Sequence, residues 1–312
     1  MAKTDKHFYE KNKQCHNPIP NSTEGGSCLV GHEADFSNFA LMKDRATPRK
    51  CRNSCNYRYQ AYEQAKNEKT VTVFLHSYKD DMRQKYIQSR YQDDEIKTSA
   101  YNKNPARYCA SIALPNPDSG DWDVGGPKED IFRENFKRQK VKIPAGCNFT
   151  QDTWPYWNNA HHLIPKGTLK NAIRETGDDI GSLMEKGLLE AKYNINHKIN
   201  MLFLPQDKEV GEILSMPRHI QLKEGDDDSL SSHCVQHPVY DKMIKEIDSG
   251  LDEIIMDYKT TIENALEGDC ETPDFELSKK KLEELSEDLL VLILSSQAGR
   301  SLDSISKQIE AK

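Results

Sequence analysis

One apolar run of strand length, Ile199-Asn200-Met201-Leu202-Phe203-Leu204, is closed by Pro205 and stands among longer stretches whose apolar residues recur at helical spacing. A chain with so few strand-length runs cannot cover its core with a large sheet, so helices must supply most of the burial. Thr168 can cap a helix bearing Leu169, Ala172 and Ile173 on one face, and Asp178 to Leu189 offers another with Ile180, Met184, Leu188 and Leu189. A long helical pattern starts near His237 and Pro238 and carries Ile244, Ile247, Leu251, Ile254 and Ile255. From Asp274 to Lys312 the chain reads as one or two amphipathic helices, with Phe275, Leu282, Leu285, Leu289 and Leu292 on a seam that Ser278 interrupts. That seam is too short for a coiled coil, so packing onto the preceding domain is expected. The fold class is α+β and helix-rich.

Upstream the signals differ. Asn17-Pro18-Ile19-Pro20-Asn21-Ser22 and Glu24-Gly25-Gly26 are turn chemistry, and Asn56 to about Arg107 mixes periods around Tyr57, Tyr59, Tyr62 and Tyr78, which predicts one or two solvated helices. Phe132 to Lys142 is a basic helical or strand pattern, and Trp154-Pro155-Tyr156-Trp157 supplies an apolar anchor. We divide the 312 residues into an N-terminal region (1–149), a central region (150–262) and a C-terminal helical segment (263–312).

The net charge of -7 argues against a passive nucleic-acid coat. Its distribution is uneven: Leu41 to Cys109 holds 15 Lys and Arg against 8 Asp and Glu, while Glu224 to Glu276 is dominated by acids. A locally basic face on an acidic protein suits an enzyme that touches DNA or RNA briefly; a solvated helical surface fits the same residues, Arg49, Lys50 and Arg52 included. The longest apolar run, Leu289 to Leu294, is far short of the ~20 residues that span a bilayer. The first residues have no apolar segment behind their charges, so no cleaved secretory signal is expected. Eight cysteines in a chain of this length do not make a disulfide scaffold. Cys28-x-x-x-His32 and Cys51-x-x-x-Cys55 could form a structural zinc site, although ordinary thiols are favoured.

Three segments carry the chemistry: Asn159-Ala160-His161-His162-Leu163-Ile164-Pro165, Asn200-Met201-Leu202-Phe203-Leu204-Pro205, and His233-Cys234-Val235-Gln236-His237-Pro238-Val239-Tyr240. His233 and His237 are four apart, so on a helical turn their imidazoles face one way and can share a metal. A neighbouring strand must supply a further ligand. Adjacent strand residues point to opposite faces, so one of His161 and His162 can ligate while the other acts on a water. Phosphodiester hydrolysis needs that division: a cation at the phosphate, and a base, for which histidine is suited by titrating near neutrality. His219 and His197 are rival ligands to the 233/237 pair.

The order of these motifs resembles the AHH nucleases of the HNH/endonuclease VII (His-Me finger) superfamily, toxin modules of bacterial polymorphic toxins and type VI secretion effectors. The resemblance covers roughly residues 150 to 250. It implies a central ββα-metal core in which His161, His233 and His237 bind a divalent metal (Zn²⁺, Mg²⁺, Mn²⁺ or Ni²⁺). It makes His162 the general base and Asn200 the residue that braces the hairpin and orients it. It further implies a DNase, with RNA as an alternative substrate, leaving a 5′-phosphate and a 3′-hydroxyl. The expected partners are a cognate immunity protein and a secretion machine that exports the chain from the producer's cytoplasm to that of a target cell. The rival expectation is a noncatalytic, metal-stabilised adaptor that binds nucleic acid or protein.

Overall fold

The computed structural model describes residues 26–29, 54–65, 130–134, 140–143, 145–150, 158–206, 208–220, 237–268 and 274–305. Most of the turn-rich and basic N-terminal region, the Trp154-Trp157 anchor, and His32, Cys51 and His233 lie outside them. The described helices are α1 (Tyr57–Ala65), α2 (Lys166–Glu175), α3 (Asp178–Glu190), α4 (Lys208–Leu214), α5 (Pro238–Glu246), α6 (Leu251–Leu266) and α7 (Phe275–Leu294). Four strands accompany them: β1 (Ile131–Glu134), β2 (Lys140–Ile143), β3 (Asn158–His162) and β4 (Met201–Pro205). The chain is helix-rich and α+β, and no helix among the described residues is long and apolar enough to cross a membrane. It divides into two units, one formed by Met1–Gln60, His162–Met201 and Asp241–Leu289, the other by Ala61–His161, Leu202–Tyr240 and Leu290–Lys312.

In the first unit α2, α3 and α6 pack on one another. Most of the expected positions are buried: Leu169, Ala172 and Ile173 on α2, Met184 and Leu188 on α3, where Ile180 and Leu189 are half-buried, and Leu251, Ile254 and Ile255 on α6, whose buried face Tyr258 and Ile262 extend. The start of α2 differs from expectation. Pro165 occupies the cap position, and Thr168 is buried inside the first turn. Proline suits that place because the first helical N–H groups have no intrahelical partner to lose. Gly187 lets α3 press against Tyr258 and Phe275, since a Cβ there would collide with both rings. The same approach lets the Tyr258 hydroxyl donate to Met184 O at 3.2 Å.

The helical spacing after Pro238 is carried by two helices rather than one. Ser249 adopts a left-handed φ of 55°, Gly250 donates its N–H to Ile247 O at 2.7 Å, and α6 begins at Leu251. On α7, Leu282, Leu285 and Leu289 are buried as expected, and Ser278 is buried in line with them instead of interrupting the seam.

In the second unit β1 and β2 pair antiparallel, with Ile131 opposite Ile143 and Glu134 opposite Lys140. The described parts of the basic pattern at 132–142, residues 132–134 and 140–142, are therefore strand. β3 pairs with β4, every residue of which is buried, as its uninterrupted apolar sequence requires. The two strands are not joined by a tight hairpin, for α2 and α3 lie between them in the sequence. The last described segment, Gly299 to Ile305, runs against residues 218–220. Arg218 N donates to Arg300 O (2.7 Å), Leu302 N to Arg218 O (3.0 Å), and the buried Arg218 Nε to Gly299 O (2.6 Å). Ser301 Oγ donates to Ile220 O at 2.6 Å, and the Asp303 carboxylate accepts from Tyr240 N at 3.2 Å, at the start of α5.

Candidate metal centre

Three histidines converge in the second unit, each delivered by a different segment of the chain. His161 sits on β3, where its neighbours Ala160 and Asn158 are also buried. His219 follows Arg218, and its N–H is tied to Pro205 O at the end of β4 by a 2.8 Å bond. His237 immediately precedes Pro238, the first residue of α5. Their relative exposures are 4%, 6% and 4%, so water solvates none of them well.

One ring nitrogen from each lies within 4.8 Å of the others. The His219 and His237 Nε2 atoms are 2.9 Å apart, with ring planes at 89°. His161 lies edge-on to both, its ring centroid 5.2 Å from that of His219 and 5.4 Å from that of His237, and Tyr240 stands 5.2 Å away. Burial pushes the His237 imidazole down to about 4, which keeps it neutral at physiological pH. Neutral imidazoles carry the lone pairs a metal needs, and three of them form the donor set of zinc sites that keep a fourth position for water or substrate. The residues fit a divalent transition ion. Nitrogen-only donors suit zinc, nickel, cobalt or copper better than magnesium or calcium, which prefer oxygen.

No protein-family model, no curated protein and no solved structure matches the chain. Its function must therefore be read from its own side chains.

His161 and His237, both expected as ligands, come together; His233 lies outside the described residues, and α5 begins only after His237. The third member is His219, which sequence spacing placed among the rivals. His197, the other rival, serves the local backbone, where its side chain caps the 3₁₀ turn Lys198–Asn200 by accepting from Ile199 N. Of the four residues considered for structural zinc, Cys28 and Cys55 are described, and both are buried and outside any disulfide.

His162 belongs to the first unit and is engaged there by a residue the sequence did not single out. Its Nε2 lies 2.9 Å from Asn196 Oδ1, an atom that can only accept, so the proton sits on Nε2 and the lone pair on Nδ1. Asn196 is itself held by Asn194 Oδ1 through its backbone N–H (3.0 Å) and by Cys28 Sγ through its amide (3.5 Å). Tyr57 lies 6.0 Å away, ring to ring. Burial is the main cause that lowers the His162 pKa to about 4, opposed by the Asn196 hydrogen bond and assisted by Lys166.

Asn200 is a brace for the backbone. Its Oδ1 accepts from Ile164 N at 2.7 Å, its amide donates to Ile195 O (2.8 Å) and Ile164 O (3.2 Å), and its carbonyl accepts from Leu163 N at 2.9 Å. Ser286 Oγ stands 3.1 Å from the same Oδ1. Asn200 thereby fixes the two residues that follow His162, while the imidazole of His162 is held by Asn196.

Proposed function

We propose that the protein is a metal-dependent nuclease that hydrolyses phosphodiester bonds, with His161, His219 and His237 holding the ion and His162 as the general base. The observation that carries the reading is the convergence of three buried imidazoles, one of which, His161, is next in sequence to His162. A bound divalent ion would supply Lewis acidity toward a phosphate oxygen and toward water. The chain's own residues supply the rest. Asn196 holds His162 in the tautomer that leaves Nδ1 free to accept the proton of an attacking water, and Asn200 fixes the backbone that carries it. The ββα-metal core is part of the proposal and rests on the motif resemblance, since α2 and α3 separate the paired strands in the sequence and α4 lies between β4 and α5. DNA is the proposed substrate. A toxin role, with export to a target cell and a cognate immunity protein, follows from the motif resemblance.

The test is plasmid cleavage by the full chain with added Zn²⁺, Ni²⁺ or Mn²⁺, with RNA assayed in parallel. Cleavage that stops with chelator, and that His162→Ala abolishes while metal content is kept, supports the proposal. Undiminished cleavage by His162→Ala removes the base assignment.

A second reading draws on the burial of the ligands. A closed, deeply buried trio also suits a structural ion in an adaptor that binds nucleic acid or protein without cutting. That reading predicts metal-dependent stability with no cleavage of either nucleic acid.

A further inference from the structure

The half-buried amide of Asn159, two residues before His161 on β3, points its Nδ2 at His219 Nδ1 across 3.3 Å. An amide nitrogen only donates, so this contact requires the His219 lone pair on Nδ1 and its proton on Nε2. The Nε2 proton is then directed at His237 Nε2, 2.9 Å away. That is the wrong tautomer for a ligand: an Nε2 that carries a proton cannot bind an ion.

We infer that Asn159 is the positioning residue that selects between the metal-free and metal-binding tautomers of His219. Rotation of the amide by half a turn about its last side-chain bond exchanges Oδ1 for Nδ2 and presents an acceptor to Nδ1. His219 then gives up its Nε2 proton to solvent and takes one at Nδ1, with no net change in charge, and its Nε2 lone pair is released toward His161 and His237. Asparagine serves both states because it carries a donor and an acceptor on one pivot. A second partner that orients a ligating imidazole in this way commonly changes metal affinity by about 10–100-fold when it is removed.

The inference rests on the trio holding a metal and is independent of whether the ion cleaves nucleic acid. Its test is a Co²⁺ titration of the full chain, followed by visible absorption, for wild type, Asn159→Leu and Asn159→Asp. Leucine keeps the volume and loses both hydrogen-bonding groups, so its affinity should fall by about 10–100-fold. Aspartate is a permanent acceptor, so its affinity should equal or exceed that of wild type. The metal-free proteins supply a second readout by imidazole ¹⁵N NMR. His219 should be protonated at Nε2 in wild type and at Nδ1 in Asn159→Asp. Equal affinities in all three proteins overturn the inference. So does an Asn159→Asp protein as weak as Asn159→Leu, or an unchanged His219 tautomer in all three. Wild type that takes up no Co²⁺ overturns the metal reading and this inference together, whereas cobalt uptake without plasmid cleavage leaves the inference standing and removes the nuclease.

Discussion

His219 and His237 face each other through their Nε2 atoms at 2.9 Å, a distance that a hydrogen bond tolerates only when one of the two nitrogens is unprotonated. Protonating both places two cations in contact within a buried site. The pair therefore disfavours double protonation, and it supplies two of the three candidate metal ligands.

The folded His237 pKa of about 4 lies below the ordinary value of 6.5, so the unfolded chain binds the proton more readily. The stability this provides is present above pH 6.5 and is lost as the pH falls toward 4. Taken alone, the shift corresponds to about 3 kcal/mol between those limits. Urea unfolding of the metal-free chain at pH 7.5 and at pH 4.5 should show a midpoint drop that His237→Gln reduces.

The segment 299–305 is hydrogen-bonded to two of the three stretches that carry the candidate ligands. Asp303→Ala removes the acceptor for Tyr240 N at the start of α5, and Ser301→Ala removes the donor to Ile220 O. Each removes one hydrogen bond to a buried residue's backbone, at about 1 kcal/mol. Chemical denaturation should detect the loss, and Co²⁺ affinity should fall in both variants although neither residue is a ligand.

Gly187→Ala should destabilise the helical packing by about 1–3 kcal/mol or more, because the added methyl meets Tyr258 and Phe275 at once. A thermal midpoint equal to that of wild type would show that α3 and α6 separate more easily than their contact suggests.

Asn200→Ala and Asn196→Leu should fail in different ways. Asn200→Ala removes the side-chain partner of Ile164 N, Ile164 O and Ile195 O and should lower stability by about 2–4 kcal/mol. Asn196→Leu frees the His162 tautomer, so if His162 is the base it should lower kcat by about 10–100-fold with KM and metal content unchanged.

The sequence reveals what is periodic. β4, the buried faces of α2, α3 and α6, and the apolar positions of α7 follow from spacing, because local periodicity decides which side of an element meets the core. The break at Ser249 and Gly250 escapes that logic, since the apolar period continues in phase on both sides of it. His161 and His237 are legible from their motifs. His219 is not: it lies in no helix or strand and is placed by a bridge from Arg218 to Ser301, far along the chain. Asn196 is hidden for a similar reason, because its partner His162 lies 34 residues away and no spacing rule connects an Asx turn to a distant imidazole.

The most direct measurement of the central claim is the metal content of the purified full chain by elemental analysis after zinc loading and removal of excess. One ion per chain in wild type and in His162→Ala, with none retained by His219→Ala, is the predicted result. An ion retained by His219→Ala at full stoichiometry and affinity, or none in wild type, would contradict it.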